Sequence, residues 1–168
     1  MAKAKSKAEA SKEKAGKAPA RGVRLGVVAA DFHLQLTEGM LASASDEAKR
    51  HGAEIVLTIR VPGCYETPLV AEHVLARDDV DALVVLGCIE RGETLHGEVM
   101  GHVVHRALLD AALMHGKPAG LGIIGPGVTP AQAEARKDSS ARAAVRAAVA
   151  SLSALRVAWP KPRKRIER

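Results

Sequence analysis

A chain of 168 residues with 47% hydrophobic content is long enough for one domain with a proper core, and no apolar stretch approaches the roughly 20 residues of a membrane span. Its two cysteines, Cys64 and Cys88, have neither CxxC nor metal-ligand spacing, which excludes a disulfide scaffold and fits a reducing compartment such as the cytoplasm. The net charge of +6 belongs to the ends: residues 1–21 hold seven Lys/Arg against two Glu, residues 160–168 hold five against one, and the sequence between them is at −3.

The chain therefore divides into a basic tail over 1–21, a domain over 22–158 and a second basic tail over 159–168. Lys/Ala/Ser sequence buries too little apolar surface to fold by itself, so the first tail reads as disordered and solvated. Its lysines have no apolar segment behind them, unlike a secretory signal. With only Ala, Ser, Gly and one Pro between the charges it offers nucleic acid no aromatic stacking group, so any such contact is confined to charge.

Within the domain, VRLGVVAA (23–30) is a short β-branched run and predicts a first strand. Leu36, Met40, Leu41 and Ala48 then recur at helical spacing over 35–51, closed by His51-Gly52. AEIVLTIRV (53–61) is a second strand ended by Pro62-Gly63, and 66–77 a short helix with Pro68 in its first turn. VDALVVLGC (80–88) is the third strand. From Glu98 to His115, Val99, Val103, Ala107, Leu108 and Ala111 mark one helical face, although Met100, Val104, Leu109 and Leu113 carry apolar character beyond it. PAGLGII (118–124) is a fourth strand halted by GPG, and 130–157 is helical in two pieces divided near Lys137-Asp138. Such alternation predicts a parallel sheet covered by helices on both faces.

In open parallel α/β sheets, ligands bind at the carboxyl ends of the strands. The segments there are DFH (31–33), VPGCYE (61–66), GCIERGETLH (87–96) and GPGVT (125–129). They hold both cysteines and two of the three aromatics, Phe32 and Tyr65. An aliphatic protein that places its aromatic rings in such loops is equipped to stack something flat. The residues from Gly92 to Thr94 precede the long helix, whose free N–H groups suit an anion such as phosphate, and Arg136 offers a fixed fork of donors for the same group. His96, read as the start of that helix, can exchange protons as a neutral imidazole, with Glu98 two residues on to orient it.

Together these segments resemble the 6,7-dimethyl-8-ribityllumazine synthases, penultimate enzymes of riboflavin biosynthesis. VPGCYETP is similar to the family's VPG-x-(F/Y)-E-x-P segment, RGETLH to its (R/K)-G-x-T-x-H loop, and GKPAGLGIIGPGVTPAQAEAR to a stretch of its archaeal-type branch. The resemblance runs from Val23 to Leu155 in the same order. It implies a flavodoxin-like three-layer α/β/α fold around a central four-stranded parallel sheet. It also implies condensation of 5-amino-6-(D-ribitylamino)uracil with 3,4-dihydroxy-2-butanone 4-phosphate, losing phosphate and water without metal or organic cofactor. On this resemblance Phe32 stacks on the pyrimidine, while Cys64, Tyr65 and Glu66 line the ribityl side. Cys88, Ile89 and Glu90 edge the ring, Glu93 and Thr94 meet the phosphate substrate, Arg136 binds its phosphate, and His96 carries protons. Family members form pentamers, some of which build 60-subunit shells, and Leu121 and Arg136 would reach a neighbour's site.

Five positions depart from the pattern. His33 stands where the family usually has Asn, Glu90 where it usually has Ile, and Gly97 where many members have an aromatic residue. Leu121 occupies the place of a second stacking Phe, and Arg142 is the basic residue nearest to a missing Lys. An unpaired carboxylate beside a stacked ring is costly, so Glu90 is expected to pair with Arg91 or turn to solvent. Three other functions fit the residues less fully. They are an archaeal-type riboflavin synthase, a catalytically weak lumazine- or flavin-binding paralogue, and a scaffold whose tails recruit nucleic acid.

Overall fold

The computed structural model describes residues 22–159, so the first basic tail and residues 160–168 of the second lie outside the described residues. Four strands, β1 (Val23–Ala30), β2 (Ala53–Val61), β3 (Ala82–Glu90) and β4 (Ala119–Val128), form one parallel sheet in the order β2-β1-β3-β4. The helices are α1 (Leu34–Arg50), α2 (Thr67–Ala76), α3 (His96–His115) and α4 (Pro130–Ala158), with a 3-10 turn at Cys64–Glu66 ahead of α2.

Strand alternation sorts the side chains into two cores. Leu25, Val27, Ala29, Val84 and Leu86 face α1 and α4, whereas Val28, Ala30, Leu83 and Val85 face α2 and α3. That is a three-layer α/β/α arrangement. β1 and β3 are buried on both faces and read as continuous apolar runs. β2, at an edge, alternates instead. With almost no aromatic rings available, close approach of small residues replaces bulk. A Cβ on Gly120 would lie 1.9 Å from the Ala144 carbonyl oxygen, so α4 sits directly on β4.

Three expectations are corrected. First, α4 is one continuous helix of 29 residues. Thr129 caps it reciprocally with Gln132, and Pro130 begins it. The polar residues that look like a break serve the contact with α1: Ser43 donates to Asp138 at 2.7 Å, and the Lys137 stem covers Gly39. Second, GPG does not halt β4. The strand continues through a cis Gly125-Pro126 bond to Val128, which pairs with Glu90, and the Arg91 amide donates to the Val128 carbonyl at 2.8 Å. Gly125 permits this because φ is 105° and a Cβ would fall 2.0 Å from the Ile89 carbonyl oxygen. Third, α3 buries Val104, Leu108 and Ala111, whereas Val99 and Val103 are each 53% exposed. A helix apolar on more than one side does not reveal from its periodicity which side meets the sheet.

The α1–α4 contact also carries a buried carboxylate. Glu47 accepts from Arg146 at 2.9 Å and lies within reach of Arg142 and His51. The Arg146 hydrogen bond, with His51 and Arg142 adding to it, outweighs desolvation and holds the Glu47 carboxyl below its ordinary range. No helix among the described residues is long and apolar enough to cross a membrane.

Candidate active site at the strand ends

The strand order places β1 beside β3 while the chain leaves them towards opposite faces, so a crevice opens between their carboxyl ends. Register between the two strands stops at Ala29 with Leu86. Beyond it β3 runs on to Glu90 while β1 turns away through Asp31, Phe32 and His33 into α1. That turn is held on the β2 side, where Asp31 N–H donates to the Val61 carbonyl at 2.7 Å and Phe32 N–H to that of Pro62 at 3.0 Å. Arg60 adds an ion pair to Asp31.

Phe32 is thereby held 47% exposed, and Tyr65, on the 3-10 turn after β2, is 43% exposed. The Tyr65 and His96 rings approach with centroids 5.7 Å apart. His96 starts α3, and its amide donates to Thr94 Oγ1 at 3.3 Å. The expected bond to Glu98 is not formed among the described residues; the ring lies against Tyr65 instead. Leu95, at the cap position of α3, supplies no side-chain oxygen, so amides of the first helical turn are left for a ligand.

A cleft of about 670 Å³ lies over this helix start. It is walled by residues 90–95, Gly97, Glu98, His102, Pro126 and Gly127. Glu90, Glu93 and Thr94 are thus brought together, whereas Arg136, exposed on α4 and donating to its own helix at Gln132, is not part of the wall. Glu66 is exposed next to Tyr65. Leu121 pairs in register with Val85 and packs on the α2–α3 core. Ile89 is buried at the end of β3.

Cys64 and Cys88 are also buried, and the Cys64 thiol donates to the Cys88 carbonyl at 3.5 Å. Burial pushes the Cys64 thiol up to about 12 and that of Cys88 to about 11, which keeps both as thiols rather than nucleophiles.

Glu90 pairs neither with Arg91 nor with water alone. Its Oε2 lies 2.9 Å from His33 Nε2. Two of the departures from the family pattern thus meet each other, 57 residues apart in sequence.

Sequence reasoning missed the part played by the first turns of α3. A Cβ on Gly97 would stand 2.9 Å from the Glu90 carbonyl oxygen, and one on Gly101 would stand 2.8 Å from the Pro126 ring. These glycines, four residues apart, share a face and let α3 lie directly on the ends of β3 and β4. Glycine inside a helix costs about 1 kcal/mol relative to alanine, so such a pair is itself a sign of close approach. Glu98 and His102, with the same spacing, both line the cleft.

The fold defines a three-layer α/β/α protein whose strand ends bring together two exposed aromatic rings, a histidine at a helix start and a cleft. A family model described as 6,7-dimethyl-8-ribityllumazine synthase matches residues 22–157. Curated relatives of that name include those of Pyrobaculum arsenaticum, 42% identical over 76% of this chain and 85% of that protein, and Staphylothermus marinus, 43% identical over 74% and 83%. The one from Methanocaldococcus jannaschii is 42% identical over 80% of this chain and 94% of its own length. The chain belongs to the 6,7-dimethyl-8-ribityllumazine synthase family.

Proposed function

We infer that the protein is a cytoplasmic transferase that makes 6,7-dimethyl-8-ribityllumazine from 5-amino-6-(D-ribitylamino)uracil and 3,4-dihydroxy-2-butanone 4-phosphate. The observation that carries this reading is the family match across the whole folded domain, 22–157. The free, buried cysteines fit a reducing compartment. Phe32 and Tyr65 hold the pyrimidine and its ribityl chain. The amides ahead of α3, with Glu93 and Thr94, receive the phosphate substrate. His96 takes protons from the attacking amine and returns them to the departing phosphate or hydroxyl. Purified protein given both substrates should generate the absorbance and fluorescence of the lumazine. No turnover above the uncatalysed background, with lumazine still bound tightly, would replace this reading by that of a binding paralogue.

The site is shared between subunits of a pentamer in this reading. The cleft carries Glu90, Glu93 and Glu98 against Arg91, an unsuitable balance for a phosphate unless further positive charge arrives. Arg136 stands apart on its own chain and is the donor to come from a neighbour, together with Leu121. On α3, Val99, Val103, Leu109, Leu113 and Met114 are each at least half exposed, an apolar surface fit for a subunit contact. A ring closes by head-to-tail contacts, so each subunit both lends and receives.

The shared site has a direct test. His96→Ala and Arg136→Ala subunits, each strongly impaired alone, should recover activity when refolded together, because some interfaces then unite two intact halves. No recovery in verified mixed oligomers, or a fully active monomer in sedimentation, would defeat the shared-site model.

A further inference from the structure

His33 is the sole non-glycine with positive φ among the described residues, at φ 59° and ψ 56°. Asparagine or glycine would hold that conformation as easily. What histidine adds is reach. Its Nε2 meets Glu90 Oε2 at 2.9 Å, while its ring lies against Phe32 with centroids 4.3 Å apart. A carboxylate only accepts, so His33 Nε2 carries the hydrogen and donates it.

The location gives this contact its meaning. The turn bearing Phe32 is tied to β2 by backbone hydrogen bonds, but its pairing with β3 ends four residues short of Glu90, at Leu86. The His33–Glu90 bond restores a tie across that gap. His33 also lines a second hollow, of about 480 Å³, with Leu34, Pro130 and Glu134, while Glu90 lines the cleft over α3, so the bonded pair stands between the two. Both side chains are about one-third exposed, at 35% and 34%. They are accessible enough to be felt by a ligand and sheltered enough to keep a fixed geometry.

We propose that His33 and Glu90 act as one positioning unit, which braces the Phe32 ring for the pyrimidine substrate and withholds the Glu90 carboxylate from it. The proposal rests on the reading of Phe32 as the stacking platform. Glu90 thereby works through His33, and the hydrogen bond engages a carboxylate that would otherwise face an electron-rich ring.

A double-mutant cycle tests this in the full-length oligomer. His33→Gly relieves the positive φ and should not lower the thermal midpoint, yet it should raise KM for the ribitylaminouracil by about three- to ten-fold, the size expected for one partly exposed charge-assisted bond. KM for the butanone phosphate should stay within about two-fold, since a single bond at the pyrimidine end does not reach it. Glu90→Ala should match His33→Gly, and the double variant should be no worse than either. Glu90→Gln keeps an acceptor for the His33 N–H and should retain most of the affinity.

If Glu90→Ala still weakens binding in the His33→Gly background, Glu90 is a direct substrate ligand and the proposal fails. Two single variants with unchanged KM would also overturn it, leaving only a surface ion pair. The same cycle read by fluorescence titration with 6,7-dimethyl-8-ribityllumazine keeps the question open to measurement if the wild-type chain shows no turnover, an outcome that defeats the functional reading and not this one.

Discussion

His96→Ala should lower kcat by about 10²-fold with the thermal midpoint unchanged. General acid–base groups contribute typically about 10² to 10⁴. The low end applies because the amine and the ketone condense slowly unaided, so the protein has less of the barrier to remove. Folding should not suffer, since the ring is exposed and touches the rest of the described chain mainly through Tyr65, at 5.7 Å between centroids. The helix start beneath it is set by Gly97 and Gly101 against the ends of β3 and β4, not by the imidazole. Steady-state rates with both substrates, compared with the uncatalysed rate, decide the matter. A fully active variant would remove His96 from the mechanism and leave positioning and phosphate binding to account for the rate.

Gly120→Ala is expected to have the largest effect on stability. The added Cβ would fall 1.9 Å from the carbonyl oxygen of Ala144 and 2.7 Å from its carbon. These are backbone atoms in the middle of a 29-residue helix, so no rotamer change relieves the clash. Helix α4 would have to lift from β4 by about an ångström or more, separating contacts that are worth most when closest. Overpacking typically costs about 1–3 kcal/mol, and an obstacle made of backbone belongs at the upper end. Against a total of about 5–15 kcal/mol, that should lower the midpoint by about 10 °C or leave the chain unfolded. Gly92→Ala is the control: its Cβ would meet only the Thr94 amide at 4.0 Å, and its midpoint should not move. Equal midpoints for the two variants would mean that α4 yields to an added methyl at Gly120 without loss of contact.

The strands were legible because their apolar runs are short, β-branched and punctuated by Gly and Pro, and the crevice was legible because strand-end loops collected two of the three aromatic residues of an aliphatic chain. What could not be read arises from contacts between distant segments. Lys137-Asp138 breaks an apolar pattern but not a helix, because its polar groups answer Gly39 and Ser43 on α1. GPG has the composition of a turn, yet Gly125 carries the strand past Ile89 by lacking a side chain. Val99 and Val104 are equally apolar; only the docked glycine face decides which is buried. The partner of Glu90 lay 57 residues away on another loop, beyond any local pattern, whereas Arg91 was merely adjacent.

The two buried thiols have a consequence for the protein's chemistry over time. Cys64 begins the turn that bears Tyr65, and Cys88 lies two residues before Glu90, the two buried in the cores on opposite faces of the sheet. Their ionisation is pushed up to about 12 and about 11, so at neutral pH hardly any thiolate exists for an oxidant or alkylating reagent to find. Modification of Cys64 therefore waits on the rare moments when the 62–66 segment parts from β3, whereas Cys88, in the core beneath α1 and α4, waits on a different opening. Each modified Cys64 records one excursion of the turn that bears Tyr65, and that turn keeps its own log of how often it opens.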